Sequence, residues 1–241
     1  MPDGDQQPTV VPCDYDTDPG RFAANLAFRA RSGPGRPGVF EAVARRIIAG
    51  DAAGPVLELG GGTGPLACEL AGHHVPHVVA DLAGGMLSQA PRPAVRTDAR
   101  AAGFRAASFG TVAALWMLYH LPEPALALRE ARRVLRPGGT FVACAPSRRN
   151  DPELAAVLPG WGQPLTFDAE NAAGQVGRFF EITGTQRWDV PLIDLATAGD
   201  VRRYLRGRGL AEDAAARAAA LVQPPVRLTK RGTLIWARRP A

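Results

Sequence analysis

Apolar and polar residues alternate along the chain in blocks that predict strands followed by helices. Short apolar runs end at Leu59, Ala80 and Leu115, and alanine-rich or amphipathic segments of helical length separate them. Strands that alternate with helices form a parallel sheet with right-handed crossovers. The pattern predicts strands at 56–59, 75–80, 94–97, 111–115, 140–145, 180–190 and 232–238, and helices at 64–72, 84–90, 123–135, 198–206 and 212–222.

These elements are predicted to form one domain. Several prolines and acidic residues in the first twenty positions are typical of a flexible arm. Between the last two predicted strands, residues 191–230 form a helical insertion that would suit a substrate cover or an oligomer contact equally well. The expected layout is a flexible arm at 1–20, N-terminal helices at 21–50, a ligand-binding core at 51–145, and a substrate side with the final strands at 146–241.

The composition is that of an ordinary globular protein, with 46% hydrophobic and 21% charged residues in a chain of 241. No apolar run reaches the roughly eighteen residues needed to cross a membrane. The N-terminal residues carry neither the positive charge nor the apolar stretch of a signal peptide. We therefore expect a cytoplasmic protein that does not span a membrane.

Metal and disulfide chemistry are not expected. Cys13, Cys68 and Cys144 are odd in number, far apart and never in a C-x-x-C pair, which argues against a disulfide framework or a structural zinc site. Three histidines lie between positions 73 and 77, but no nearby acidic residue or cysteine completes a standard ligand set. The sequence therefore predicts no bound metal.

The net charge of +5 raises the question of a nucleic-acid partner. Nearly all basic residues are arginines, with Lys230 as the single lysine, and they are scattered among acidic residues instead of forming a cluster. This distribution makes a nucleic-acid partner the less favoured reading and leaves the oligomeric state open, a dimer included.

Residues 56–64 carry the clearest functional pattern, because an apolar strand runs directly into the glycine-rich turn Gly60, Gly62 and Gly64. Glycine lets the backbone approach a ligand where any side chain would collide. The next strand is followed by Asp81, whose carboxylate can accept hydrogen bonds from both hydroxyls of a ribose. An acidic residue at Glu58 would repel a pyrophosphate but could organise an ammonium group, directly or through water. The pattern therefore favours an adenosine compound with an amino-acid tail.

With these motifs the chain resembles the class I, Rossmann-like methyltransferases, whose cofactor is S-adenosylmethionine. The resemblance rests on four segments in the family's order over about 90 residues, which is far more specific than one glycine loop. They are Glu-Leu-Gly-Gly-Gly-Thr-Gly at 58–64, Asp-Leu-Ala-Gly-Gly-Met-Leu at 81–87, Arg-Thr-Asp-Ala at 96–99, and Ala-Ala-Leu-Trp-Met-Leu-Tyr-His-Leu-Pro at 113–122 with the following Leu-Arg-Pro-Gly-Gly-Thr-Phe-Val at 135–142.

The resemblance implies a fold and a set of cofactor contacts. The fold is a three-layer, doubly wound α/β structure with a mostly parallel seven-stranded sheet, an antiparallel edge strand, an N-terminal helical arm and a helical insertion before the last strand. Leu82 and Met86 would pack near the adenine, Asp98 would meet its amino group, and Ala99 would offer a backbone donor. The sequence departs from the family at Gly61, which makes a run of three glycines, and at Gly110, where an acidic residue is usual.

The acceptor of the methyl group is expected beyond the fourth and fifth strands, since ligands of open α/β sheets bind at the carboxyl ends of the strands. His120 is the candidate general base, although a histidine that starts a helix and bonds to the backbone is an equally consistent reading. Tyr119 could orient the acceptor or simply pack. Trp116 is assigned to the sulfonium or adenine side, where an aromatic face attracts positive charge.

A second group of polar residues is assigned to acceptor binding. Arg148, Asn150 and Asp151 follow the fifth strand and could bind an anionic or hydroxylated molecule, although a solvated loop would have the same composition. Arg29 in the N-terminal arm could close over the acceptor or remain on the surface.

These expectations converge on a S-adenosylmethionine-dependent methyltransferase that acts on a small molecule, with secondary metabolism as its setting. The alternatives are an RNA-modifying methyltransferase, a cofactor-binding protein of this fold without methyl transfer, and an enzyme that uses the pocket for rearrangement or cyclisation. The sequence does not identify the acceptor atom, because specificity lies in variable loops and covers.

Overall fold

The computed structural model describes Tyr15, Ala24, residues 38–51 and residues 54–241. Seven strands and seven α-helices are defined in these parts of the chain. The strands are β1 (Val56–Leu59), β2 (His77–Asp81), β3 (Ala94–Arg96), β4 (Phe109–Leu115), β5 (Leu135–Pro146), β6 (Glu181–Leu195) and β7 (Val226–Arg238). The helices are α1 (Val39–Arg46), α2 (Pro65–Ala71), α3 (Gly84–Leu87), α4 (Pro124–Val134), α5 (Ala172–Val176), α6 (Ala198–Gly207) and α7 (Glu212–Ala219), with a π-helical turn at Ile47–Asp51 and 3₁₀ turns at Leu118–His120 and Pro152–Leu154.

The strands form one sheet in the order β3-β2-β1-β4-β5-β7-β6. The first five strands are parallel, and β7 pairs antiparallel with both β5 and β6. The predicted doubly wound, mostly parallel sheet with antiparallel pairing at one edge is confirmed. Chain order reverses between β1 and β4, which opens a crevice at the carboxyl ends of these neighbouring strands.

Helices cover both faces of the sheet and give the three layers. On one face, α4 and α5 bury their apolar sides against Phe141, which stacks on Phe180 with ring centroids 4.4 Å apart. On the other face, α1 and α2 pack against the opposite side of β1, β4 and β5, where Trp236 is fully buried. Buried side chains on both faces explain why the central strands read as continuous apolar runs.

A separate apolar cluster lies under the helices inserted between the last two strands. Leu205 from α6 and Ala215 from α7 pack there against Leu195 and Leu228 of the final strands. Helix α6 begins with a capping box in which the Thr197 side chain accepts the backbone N–H of Asp200. The inserted helices are therefore packed firmly onto the end of the sheet.

The final hairpin is longer than predicted, which shortens the insertion from 191–230 to 196–225. Strand β6 continues past Pro191, because a register shift between Pro191 and Ile193 absorbs the missing N–H of the proline on this edge strand. Pairing then runs to Leu195 opposite Val226. Charged residues on the exposed face obscure the alternation of apolar and polar residues in this stretch, so the sequence pattern did not predict the extra strand residues.

The arm can be compared with the structure only in part. Helix α1 lies within the N-terminal helices predicted at 21–50 and ends at Arg46 before the π-helical turn. Residues 21–37 of that prediction, the flexible arm at 1–20 and Arg29 lie outside the described residues, apart from Tyr15 and Ala24. Across the described parts of the chain, no helix is both long and apolar enough to cross a membrane.

Candidate cofactor and acceptor site

The glycine turn after β1 is a backbone surface without side chains. Gly60, Gly62 and Gly64 have φ angles of 64°, 58° and 69°, in the left-handed region that favours glycine. A Cβ at Gly62 would lie 2.5 Å from Cε of Met86 and 3.9 Å from Oδ2 of Asp81. Any larger residue at Gly62 would therefore collide with the Met86 side chain beside the tip of β2.

The third glycine of the run has a packing reason. A Cβ at Gly61 would lie 2.8 Å from Cγ of Glu58 and 2.9 Å from Cγ1 of Val79. The departure from the family pattern at Gly61 thus reflects close packing under the turn.

Asp81 ends β2 beside the glycine turn. Its Oδ2 accepts the backbone N–H of Gly62 at 2.7 Å, and its Oδ1 accepts that of Ala83 at 2.8 Å. The side chain is only partly buried, and each carboxylate oxygen retains a second lone pair. The predicted ribose contact is compatible with this geometry, because the two backbone bonds fix the carboxylate while leaving acceptor capacity for two hydroxyls.

Glu58 has a structural role that the sequence did not reveal. The residue is 2% exposed, its Oε1 accepts the N–H of Leu66 at 3.0 Å, and its Oε2 accepts the N–H of Ala67 at 2.9 Å. These bonds satisfy two first-turn donors of α2 and place a negative charge at the positive end of the helix. A direct contact with a cofactor ammonium, as predicted, would have to share oxygens that already bind the helix.

The predicted adenine residues border one side of the cleft. Leu82 follows Asp81 and is 59% exposed, an unusual position for a leucine, while Met86 is buried against the glycine turn. Ala99 is buried next to Asp98. The Asp98 carboxylate forms an ion pair with Arg100 at 2.6 Å, and hydrogen bonds from the Arg100 side chain lower the pKa of Asp98 below its usual value.

These observations fit S-adenosylmethionine. The closely packed glycine turn at Gly62, the fixed carboxylate of Asp81 and the exposed apolar side chain of Leu82 are compatible with a backbone contact, a ribose and an adenine ring in that order.

Trp116 lies just beyond β4 in a strained backbone conformation. Its φ angle of 60° is rare for an aromatic residue, and such strain tends to occur at functional sites. The ring packs edge-on against Trp188 with centroids 5.9 Å apart. Trp188 in turn covers Gly232, where a Cβ would collide with its indole ring. Edge strand β6 therefore supports Trp116, a link that sequence spacing did not predict.

Tyr119 and His120 form the 3₁₀ turn after β4. Their rings contact each other with centroids 4.2 Å apart, and the ring of Tyr15 lies 6.2 Å from that of His120 in an edge-on arrangement. His120 is exposed, and its backbone N–H bonds to the carbonyl of Met117 at 3.0 Å. An exposed imidazole at the carboxyl end of a central strand, close to an arm tyrosine, is compatible with the predicted general base.

The polar residues after β5 are held inside the protein. Arg148 forms a 2.8 Å ion pair with the fully buried Asp168. Asn150 is buried, and its Oδ1 accepts the N–H of Arg231 at 2.8 Å. Asp151 is 0% exposed. The structure thus brings Arg148, Asn150 and Asp151 into intramolecular contacts, and the burial of Asp151 does not match the predicted direct contact with an acceptor.

Three functional candidates near this region were missed from the sequence. Tyr204, Arg208 and Lys230 converge on Asp151, although they lie 53 or more positions apart from it in the chain. The single lysine of the chain was the available signal, but no local motif linked it to the loop after β5. Within the described ranges, no group of three or more histidine, cysteine or acidic residues could hold a metal ion.

Comparison with known proteins agrees with this site. A model described as a methyltransferase domain matches residues 57–143, which include the glycine turn, Asp81 and His120. A 23S rRNA (guanine(748)-N(1))-methyltransferase of Streptomyces fradiae is 33% identical over 60% of this chain and 51% of its own length. A ubiquinone/menaquinone biosynthesis C-methyltransferase UbiE of Bradyrhizobium diazoefficiens is 31% identical over 51% of this chain and 57% of its own. The chain spans about half the length of the curated relatives it matches.

Solved structures share the fold at low identity. The (4+2)-cyclase SpnF has a TM-score of 0.65 and 18% identity, covering 99% of this chain and 100% of its own. The YcgJ protein of Bacillus subtilis has a TM-score of 0.61 and 15% identity, covering 83% of this chain and 99% of its own. The matched domain, the sheet order and the methyltransferase-named relatives support a class I, Rossmann-like methyltransferase whose methyl donor is S-adenosylmethionine.

Proposed function

We propose that this protein transfers a methyl group from S-adenosylmethionine to a small-molecule acceptor that binds beside Tyr119 and His120. The bound cofactor supplies an electrophilic methyl group on a sulfonium. The observation that carries the small-molecule proposal is the wall of protein around the 3₁₀ turn at Leu118–His120.

Three separate parts of the chain form this wall. The hydroxyl of Thr166 donates to the carbonyl of Tyr119 at 3.3 Å, which brings the loop after β5 over the turn. Tyr15 approaches His120 from the N-terminal arm. Arg208, at the end of α6, lies within electrostatic range of Tyr119. Groups that approach the turn from several sides can orient a small acceptor beside it.

The residues divide into holding and reacting groups in this proposal. Gly60 and Gly62 offer backbone to the cofactor, and Asp81 binds its ribose. His120 accepts a proton at an imidazole nitrogen when the acceptor is a hydroxyl or an acidic carbon, and no base is needed for a neutral amine. Trp116, supported by Trp188, shapes the boundary between cofactor and acceptor.

An RNA acceptor is the second candidate, favoured by the name of the Streptomyces fradiae relative. The basic residues argue against it, because many arginine side chains already pair with acids, as in Arg133 with Glu130 and Arg231 with Asp189. Phosphate binding needs unpaired cations on one face. The quinone-pathway relative and the cyclase with the same fold point instead to small molecules, each by its own name.

Two measurements test the proposal in sequence. Isothermal titration with S-adenosylhomocysteine should show a single site per chain. The protein is then incubated with methyl-labelled S-adenosylmethionine and, separately, a metabolite extract of low molecular mass and purified 23S rRNA. Label in the low-mass fraction supports the proposal, and label in the RNA contradicts it. Cofactor binding without label in either arm would identify a binding protein without methyl transfer.

A further inference from the structure

The buried Asp151 is the centre of a polar cluster formed with Tyr204, Lys230 and Arg208. Asp151 has a left-handed backbone with φ of 59°, and its N–H donates to the carbonyl of Thr229 at 3.1 Å. The cluster joins the loop after β5, helix α6 and strand β7. None of these contacts is required by the cofactor site, so their chemistry needs a separate explanation.

All three partners point at the Asp151 carboxylate. Lys230 Nζ donates to Oδ1 of Asp151 at 2.7 Å and to the hydroxyl oxygen of Tyr204 at 2.6 Å. The Tyr204 hydroxyl donates its single proton to Oδ2 of Asp151 at 2.7 Å. Arg208 Nε lies 3.5 Å from the same Oδ2. One carboxylate thus contacts two cations and one phenol hydroxyl.

Two cations share one fully buried carboxylate in this cluster. Lys230 and Arg208 contribute two cations, and Asp151 contributes one anion. Glu153 is nearby, but it is exposed and bonds the N–H of Thr229 at 2.9 Å, so water screens its charge. Arg208 is itself partly exposed, so Lys230 is the more deeply buried of the two cations, and both share the single buried anion Asp151. A further anion at the exposed edge of the cluster would therefore meet two cations that have one carboxylate between them.

The pKa of Lys230 reflects its burial and these charged neighbours. Burial lowers the pKa of its ammonium from the usual value, the Asp151 carboxylate opposes that effect, and the neighbouring Arg208 lowers the pKa further. An additional anion in contact with the cluster would offset both unfavourable influences.

The cationic side of the cluster is its solvent-exposed side. The side chain of Arg208 is 34% exposed and that of Lys230 is 18% exposed, whereas Asp151 has no exposure. Asp151 follows β5, and the 3₁₀ turn with Tyr119 and His120 follows the neighbouring parallel strand β4, so both lie beyond the same edge of the sheet. The exposed edge of the cluster is therefore on the side of the sheet where the acceptor is proposed to bind.

We propose that Arg208 and Lys230 form a carboxylate-binding subsite that anchors an acidic group of the methyl acceptor. A guanidinium presents paired N–H donors that match the two oxygens of a carboxylate, and the ammonium of Lys230 has a third N–H beyond its two described bonds. The inference rests on the proposed function, since it assigns the acceptor to small carboxylic acids. The methionine carboxylate of the cofactor shares this chemistry and is the other source to be separated.

The test uses benzoate as the carboxylate probe, titrated calorimetrically into the full chain with and without saturating S-adenosylhomocysteine. Wild-type protein should bind benzoate, and Arg208→Gln should weaken that binding by about tenfold or more, as expected for a lost charged hydrogen bond. Arg203→Gln is the matched control, because it removes the same charge from a 52% exposed position on α6. Arg203→Gln should change benzoate affinity by less than about twofold.

The outcomes separate the two carboxylate sources and the two proposals. If S-adenosylhomocysteine blocks benzoate, and Arg208→Gln weakens S-adenosylhomocysteine but not 5′-methylthioadenosine, the subsite serves the cofactor and the acceptor assignment is overturned. Absence of benzoate binding to wild-type protein, or equal losses in both arginine variants, also overturns it. The S-adenosylhomocysteine titration reports the proposed function independently, since its failure leaves the benzoate result readable. Circular dichroism of each variant checks that it is folded.

Discussion

The Asp81 carboxylate accepts the backbone N–H of Gly62 at 2.7 Å. The acidic tip of β2 and the glycine turn after β1 are therefore one unit, in which the side chain assigned to the ribose also fixes the backbone assigned to the rest of the cofactor. A change at Asp81 should consequently affect the shape of the turn as well as the bonds to the sugar.

Asp81→Ala should weaken binding of S-adenosylhomocysteine by about 1.5 to 3 kcal/mol, because charged hydrogen bonds to the ligand are lost. Isothermal titration measures the affinity. Asp81→Asn is the matched control: it keeps one acceptor oxygen of the same size and should lose less. Wild-type affinity in Asp81→Ala would contradict the ribose assignment, and an equal loss in both variants would assign the effect to the turn.

Glu58→Gln should destabilise the fold, since both carboxylate oxygens bind N–H groups at the start of α2 and the amide retains only one acceptor. We expect a decrease of about 1 to 3 kcal/mol in the free energy of unfolding, measured with urea. Titration with S-adenosylhomocysteine and 5′-methylthioadenosine then separates the two roles of Glu58. A contact with the ammonium predicts a larger loss for the first ligand, whereas equal losses would make the residue purely structural.

Gly232→Ala should destabilise the protein by about 1 to 3 kcal/mol through overpacking. The added Cβ would collide with the indole of Trp188 and lie 2.8 Å from the carbonyl oxygen of Ala145. Gly184→Ala is the matched control on the neighbouring strand, because its Cβ would meet only Cβ of Trp236 at 4.0 Å. Urea unfolding of the two variants checks the difference. Equal stabilities would show that β6 does not press Trp188 onto β7.

Local patterns were sufficient to predict the parallel core and the glycine turn, because each depends on residues that are close in sequence. The alternation of apolar runs predicts β1, β2 and β4, and the acidic residue after β2 predicts its place at the strand tip. The polar cluster could not be predicted in this way. Tyr204 and Lys230 reach Asp151 only through the packing of α6 and β7.

The same limit applies to charged residues near the ends of strands. Glu58 reads as a ligand contact in the sequence, but its side chain reaches the start of the next helix. The sequence suggests that Arg148 is a binding residue in an open loop, but it forms an ion pair with the buried Asp168. No local pattern in the sequence links these two residues. Charged residues near a strand end can thus serve either a ligand or the loop itself, and three-dimensional contacts decide between them.

His120→Ala should lower the rate of methyl transfer by about 10² to 10⁴-fold when the acceptor is a hydroxyl or an acidic carbon, since general-base catalysis contributes that much. The affinity for S-adenosylhomocysteine should not change, because the imidazole lies at the acceptor end. Single-turnover transfer with labelled cofactor measures the rate, and His120→Phe, which keeps a ring beside Tyr119, separates loss of the base from loss of ring packing. An unaltered rate in His120→Ala would give the histidine a structural role.

Tyr204→Phe should make the protein less sensitive to alkaline unfolding. Burial and the neighbouring Asp151 carboxylate raise the pKa of Tyr204 well above its usual value of 10.0, and Arg208 opposes this effect. Because the folded state keeps the phenol proton, its contribution to stability is complete below pH 10 and is lost as the pH rises above the pKa of the unfolded chain.

The free energy of unfolding of the wild-type protein should decrease by up to about 1.4 kcal/mol for each pH unit above 10, which is the limit for one proton. The lowered pKa of Lys230 makes stability rise with pH in the same range. Tyr204→Phe retains Lys230, Asp151 and Glu153, so their contributions largely cancel when this variant is compared with wild type. Urea midpoints between pH 9 and pH 11 measure the slopes, with Tyr119→Phe as the control for the same change elsewhere. If Tyr204→Phe and wild type lose stability in parallel over this range, the phenol is ionising in the folded state and does not act as a fixed donor to Asp151.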